Sequence, residues 1–132
     1  KGGNFVTRML TRAREGQQIR MVSDQRLSPT FTSDLATGVI DAVGAGAGGV
    51  LHLTAAGACS WLEFTEAIYE IAGVDVPIEA VTTSGGTDRP LNGVLENRRA
   101  EQLGLEPLRD WRAALEDYMV RAGYAADAAS AR

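Results

Sequence analysis

A chain of 132 residues with a net charge of −4 is one domain or a piece of one, long enough to bury a real core. Its 45% hydrophobic and 23% charged content is ordinary for a globular fold, and the negative balance argues against a general nucleic-acid surface. The one cysteine, Cys59, makes no internal disulfide and no cysteine-rich zinc site, which fits a reducing cytoplasm.

Charge is unevenly spread. Residues 1–26 carry six basic groups and two acids, whereas residues 27–87 carry seven acids and no Lys or Arg. An anionic ligand must therefore be held by the first segment, by Arg89 and its successors, or by backbone N–H groups. No apolar run approaches membrane length. No signal peptide is present, and the start at Lys1 reads as an excised segment.

In chain order, Asn4 can cap a helix over Phe5–Glu15, closed by Gly16. A strand over Gln18–Val22 follows. Asp24-Gln25-Arg26 and Ser28-Pro29-Thr30 are turn chemistry, and Pro29 keeps the preceding residue out of helix. Thr32 or Ser33 can cap a second helix to about Val43, with Leu35, Ala36, Val39, Ile40 and Val43 at helical spacing. The glycine- and alanine-rich stretch 44–49 is a flexible connector, since no Gly-Lys pair follows and it leads into a strand.

Alternation in Val50-Leu51-His52-Leu53-Thr54 predicts a strand with Leu51 and Leu53 on one face and His52 on the other. Nothing near His52 completes a nucleophile triad or a metal set. Ser60-Trp61-Leu62-Glu63 is a capping box for a helix that ends at Gly73. Cys59 stands before that cap, where a thiolate is favoured, although buried filler is the stronger reading. Glu63, Glu66 and Glu70 share a face that reads as solvated.

Pro77–Val81 is a third strand, and a loop over Thr82–Asp88 delivers Arg89-Pro90. Arg89 is the first cation after a long run without one, and its forked head suits phosphate. Asn97 can cap a short helix to Leu103. Asp110 can cap a last one bearing Trp111, Ala114, Leu115, Tyr118 and Met119 on its apolar stripe. Residues 123–132 read as a frayed tail. The pattern is α/β: four to five helices with about three short strands, too thin a sheet for so many helices unless one face meets something else.

The motifs now form a recognisable series. Gly-Gly-Asn-Phe-Val-x-x-Met-Leu (2–10), Val-x-Asp-Gln-x-x-Ser-Pro-Thr (22–30), Asp-Leu-Ala (34–36), Leu-His-Leu-Thr (51–54) and Ser-Trp-x-Glu-Phe (60–64) come first. Arg-Pro-x-Asn-x-x-Leu (89–95) and Asp-Trp-Arg-x-x-Leu (110–115) follow. The series resembles the C-terminal, substrate-binding portion of the dTDP-4-dehydrorhamnose reductases, extended short-chain dehydrogenases/reductases, over about residues 2–122, within a domain expected to span 1–122.

That resemblance implies a parent enzyme reducing dTDP-4-dehydro-L-rhamnose with NAD(P)H, its Rossmann domain lying outside this chain. No tyrosine here has a lysine four residues on, the only lysine being Lys1, so the fragment alone is expected to be inactive. Asn4, Phe5, Gln25, Ser28, Thr30, Arg89 and Asn92 are implied to contact the sugar nucleotide. No catalytic, cofactor or metal residue is expected here, nor any nucleic-acid or membrane partner; a cytoplasmic protein is expected. A homodimer, metal dependence and the choice of NADH or NADPH stay open. Two departures stand out: Leu27 replaces a usual glycine, and Gly93 a usual serine. They leave open a reductase or epimerase for another nucleotide sugar. A non-catalytic relative resembling the β subunit of methionine adenosyltransferase is the other alternative.

Overall fold

The computed structural model describes residues 3–84 and 90–125. Among them are five helices, α1 (Phe5–Arg14), α2 (Thr32–Gly44), α3 (Trp61–Ala72), α4 (Arg98–Gln102) and α5 (Trp111–Arg121). Four short strands intervene: β1 (Ile19–Val22), β2 (Arg26–Leu27), β3 (Cys59–Ser60) and β4 (Ile78–Val81). No described helix is long and apolar enough to cross a membrane.

Local chemistry sets most helix ends. The Asn4 carboxamide oxygen accepts from the Thr7 amide at 3.0 Å, and the Asp110 carboxylate accepts from the Arg112 amide at 2.9 Å. At the start of α3 the capping box is complete: the Ser60 hydroxyl accepts from the Glu63 amide, and the Glu63 carboxylate accepts from the Ser60 amide. Gly73 ends α3 in the left-handed region at φ 64°.

Helix α3 is the centre of the packing. Its Thr65, Ala67, Ile68 and Tyr69 are buried, with Met9 and Leu10 of α1, Ile19 of β1, and Leu115 and Met119 of α5 around them. Ile68 and Met119 are wholly removed from water, each worth about 1.5–3 kcal/mol of transfer energy. The Tyr69 hydroxyl donates to the Met9 carbonyl at 3.2 Å, and burial pushes its pKa up.

β1 and β4 run parallel, in register from Ile19 opposite Ile78 to Val22 opposite Val81. β2 pairs antiparallel with β3, while Arg26 also forms a parallel bridge to Asn92.

Three expectations need correction. The Val50–Thr54 segment is not a strand in this structure. It is fixed by side chains instead: Asn97 accepts from the Thr54 amide at 2.9 Å and donates to the Thr54 carbonyl at 2.7 Å. Asn97 therefore makes no side-chain cap for α4. Neither Thr32 nor Ser33 caps α2, whose N-cap residue is Phe31 without a side-chain bond. The spaced apolar positions of α2 are not its buried ones, which are Gly38 and Ala42.

Leu27 brings no strain. It lies in the ladder opposite Cys59, and no described non-glycine residue has positive φ. Beyond α5, the Tyr124 amide donates to the Met119 carbonyl at 2.8 Å and the Tyr124 ring packs near Tyr118. Residues 126–132 of the expected tail lie outside the described residues.

Candidate functional site

The parallel pair β1–β4 ends in a polar knot. The Ser23 amide donates to the Val81 carbonyl at 2.9 Å. One residue on, the Asp24 carboxylate accepts from the Thr83 amide and, at 2.8 Å, from its hydroxyl. Those two donors hold the Asp24 carboxyl below its ordinary pKa. Gln25 donates from its carboxamide to the Thr83 hydroxyl at 3.0 Å.

The next residue, Arg26, links three stretches of chain. Its amide donates to the Leu91 carbonyl at 2.7 Å, and its carbonyl accepts from the Gly93 amide at 2.9 Å. Its guanidinium donates to the Ala58 carbonyl and lies 3.5 Å from the Glu63 carboxylate. The chain therefore leaves the Asp24 knot at Thr83 and returns beside Arg26 at Leu91. Arg89, expected on the span between them, lies outside the described residues.

Beyond β2 the loop is laced to residues 55–57. The Ser28 hydroxyl donates to the Gly57 carbonyl at 2.7 Å. The Thr30 hydroxyl donates to the Ser28 carbonyl and accepts from the Ala55 amide, each at 3.0 Å. Gly57 is required here: φ is +77°, and a Cβ would fall 2.5 Å from the Asp110 carboxylate.

This lacing brings Pro29–Thr32 against the N-terminus of α1 and one side of α5, around a pocket of about 270 Å³. Asn4, Phe5, Thr30, Phe31, Trp111 and Tyr118 line it, with Phe64 behind them. The walls are mainly aromatic, with few polar groups to orient a ligand, the usual make-up of a small-molecule site. Chief among these is a pair: Asn4 donates from its carboxamide to the Tyr118 hydroxyl at 2.7 Å.

Phe31 is held in turn by charge. Arg109 forms a two-pronged pair with Asp34, at 2.7 and 2.8 Å, and also reaches Asp117 at 2.6 Å. Arg121 reaches the other Asp117 oxygen at 2.7 Å. Both guanidiniums lie about 6 Å from the Phe31 ring centre, at 6.0 and 5.9 Å. The two arginines hold the Asp117 carboxyl below its ordinary pKa, and the two carboxylates raise that of Arg109.

Of the seven residues expected to contact ligand, Asn4, Phe5 and Thr30 share this pocket. Gln25 belongs to the Asp24 knot, and Ser28 to the lacing between knot and pocket. Asn92 accepts from the Val94 amide beside Arg26. The sequence reading missed Phe31, Trp111 and Tyr118 as pocket walls, the latter two having been assigned to a core stripe. It also missed the long-range partnership of Asp34 with Arg109.

Other reactive groups are accounted for structurally. Cys59 is buried, and desolvation together with the nearby Glu63 charge pushes its thiol up to about 12. Glu63 is spent in the capping box, and Glu70 pairs with Arg112 at 2.8 Å. No metal-ligating cluster occurs among the described residues.

The profile of the RmlD substrate binding domain matches residues 1–123. This chain belongs to that family. Among relatives of the RmlD substrate binding domain, the spore coat polysaccharide biosynthesis protein SpsK of Bacillus subtilis is 43% identical, over 96% of this chain and 45% of its own length. A dTDP-4-dehydrorhamnose reductase of Mycolicibacterium smegmatis is 38% identical, over 88% of this chain and 37% of its own. The dTDP-4-dehydrorhamnose reductase structure from Clostridium acetobutylicum superposes with a TM-score of 0.86 at 31% identity, covering 93% of this chain and 45% of that one. The Bacillus anthracis enzyme, solved in complex with NADP, gives 0.85 at 27% identity, over 92% and 44%. This chain thus spans less than half the length of these relatives.

Proposed function

We propose that this chain is the substrate-gripping part of a dTDP-4-dehydrorhamnose reductase, the NAD(P)H-dependent enzyme that converts dTDP-4-dehydro-L-rhamnose to dTDP-L-rhamnose. The observation that carries this reading is the pocket beside Asn4, Phe5 and Thr30, formed where the motifs at 2–10 and 22–30 meet the one at 110–115. Relatives named for that activity, matching over most of this chain, support it.

The chain's contribution is orientation. The Asn4 carboxamide would exchange its Tyr118 partner for an oxygen of the sugar or diphosphate, and Arg89 would pair with the diphosphate. Gln25, Ser28 and Asn92 would shape the loop that presents the nucleotide. Binding energy gathered far from the reacting carbon then fixes the keto group in its attack geometry.

NAD(P)H, when bound, supplies the hydride. This chain has no residue set to hold it: no Tyr-x-x-x-Lys pair is present, and no glycine fingerprint follows a strand and opens a helix, since the Gly44–Gly49 run leaves the end of α2 instead. The cofactor therefore belongs to a companion Rossmann domain, and the assembled enzyme would work in the cytoplasm.

A reductase for another dTDP-keto sugar is the second reading. A 39% identical relative from Streptomyces antibioticus is named a probable dTDP-4,6-dihydroxy-2-methyloxan-3-one 4-ketoreductase, and a 33% identical one from Streptomyces niveus a dTDP-4-keto-6-deoxy-D-glucose reductase.

The test is NADPH oxidation by the parent polypeptide with each dTDP-4-keto sugar as substrate. Turnover with the rhamnose precursor supports the first reading, and turnover with another keto sugar alone supports the second. No turnover with any, in a folded parent, overturns both.

A further inference from the structure

Phe31 stands where a helix ordinarily takes a polar side chain. It is the N-cap residue of α2, and no side-chain hydrogen bond closes that end of the helix. A residue that breaks a local rule points to a use elsewhere. The use visible here is the ring, which walls the pocket and meets the Tyr118 ring edge-on, 5.8 Å between centroids.

Four charged residues set that ring, and none of them lines the pocket. Asp34 lies in the first turn of α2, and Arg109 immediately precedes the Asp110 cap of α5. Asp117 and Arg121 stand one turn apart on α5. The Arg109 main chain is itself fixed, its carbonyl accepting from the Ala56 amide at 3.1 Å. From there its fork spans Asp34 and Asp117, while Arg121 takes the second oxygen of Asp117. Both guanidiniums lie over Phe31, at 6.0 and 5.9 Å from its centre. Isolated exposed ion pairs contribute little, but here a two-pronged fork joins a network whose carboxylates are only 18% and 23% exposed. Two cations and two anions also cancel, so the group offers an anionic ligand no net charge. Its role is therefore to hold Phe31 and not to bind.

We propose that Asp117, through Arg109 and Arg121, is a positioning residue for Phe31, fixing the width of the pocket against Tyr118 and so the tightness with which the dTDP-sugar is held. The proposal deepens the reading above and rests on this pocket being the sugar-nucleotide site. Without the Asp117 charge the two guanidiniums lose the anchor they share, and the ring loses the contacts that select its rotamer.

The test is a double-mutant cycle in the parent polypeptide on Asp117→Asn and Phe31→Leu. Asn keeps the shape of the Asp117 side chain and removes its charge. Either single variant is expected to raise KM for the dTDP-4-keto sugar about fivefold and to leave kcat within about twofold, because a wall that serves ground and transition states alike is lost. The double variant is expected to match Phe31→Leu, since Asp117 acts only through that ring. Additive losses, or a KM unchanged by Asp117→Asn, overturn the proposal. Should Asp117→Asn fail to fold, Arg121→Gln at its more exposed site enters the same cycle with the same two outcomes. Fluorophenylalanine labelling supplies a readout without ligand. The fluorine resonance of Phe31, assigned by its absence in Phe31→Leu, is expected to move in Asp117→Asn, and an unmoved resonance overturns the proposal. A moved resonance in a parent that binds no dTDP-sugar refutes the proposed function and upholds the hold on Phe31. Sugar turnover with additive losses refutes this proposal alone.

Discussion

Asn4 and Tyr118, 114 positions apart in the sequence, meet at 2.7 Å and join the start of α1 to the middle of α5 across the pocket. Asn4 serves two ends at once, since its other carboxamide atom caps α1. The residue that begins a helix is thereby also aimed into the cavity. The carboxamide oxygen caps the helix while the carboxamide nitrogen donates across the pocket, so one side chain has atoms for both.

Tyr118→Phe removes this hydrogen bond while keeping the ring that packs against Phe31. The expected loss is about 0.5–1.5 kcal/mol in urea unfolding, the worth of a neutral hydrogen bond. With the Asn4 amide released, dTDP-sugar affinity of the parent should change, whereas a stability loss with unchanged affinity would restrict the pair to a structural role.

Gly57→Ala tests the lacing between the Asp24 knot and the pocket. The substituted residue would hold an unfavourable φ and collide with the Asp110 carboxylate, so a loss of about 1–3 kcal/mol is expected. Because the Gly57 carbonyl accepts from Ser28, sugar-nucleotide binding should weaken as well. Chemical denaturation alongside a binding titration measures both.

Acid should loosen the molecule at two identifiable carboxylates. Asp24 and Asp117 have pKa values lowered by their native partners, so their contribution is full above the unfolded value near 4 and fades as pH falls through the folded ones. Melting temperatures measured from pH 7 down to pH 2.5 should fall in the acid range. Asp24→Asn and Asp117→Asn should each flatten that fall, and an unaltered profile in both variants would locate acid sensitivity elsewhere.

Cys59 should be inert in the native state. With its pKa pushed up to about 12 and its side chain buried, almost no exposed thiolate exists at neutral pH. An aromatic disulfide reagent at pH 7.5 should label it only after denaturant is added. Rapid native labelling would contradict its placement under α3.

Much of this fold was legible wherever one residue's chemistry acts within four positions of itself. The caps at Asn4, Ser60 and Asp110 and the stop at Gly73 are of that kind. Val50–Thr54 shows the limit. Alternation marks which side of a segment is apolar, but it cannot supply the second strand that turns an extended chain into a ladder. The same holds for α2, whose apolar spacing was plain and whose covering was not. Trp111 and Tyr118 were correctly placed on the apolar stripe of α5, yet periodicity cannot tell a wall of the core from a wall of a cavity. Asn97 illustrates competition: its side chain serves Thr54, 43 positions away, in place of the helix it precedes.

A domain that grips the nucleotide end of a dTDP-sugar, as proposed, should show it in calorimetric titration of the parent polypeptide with dTDP-L-rhamnose. Saturable binding is expected, with UDP- and GDP-sugars far weaker, and Arg89→Ala should cost roughly tenfold or more in affinity, as loss of a charged hydrogen bond requires. Equal binding of all three nucleotide classes, or an Arg89→Ala variant that binds as tightly as the original, would rule out a nucleotide grip at this domain.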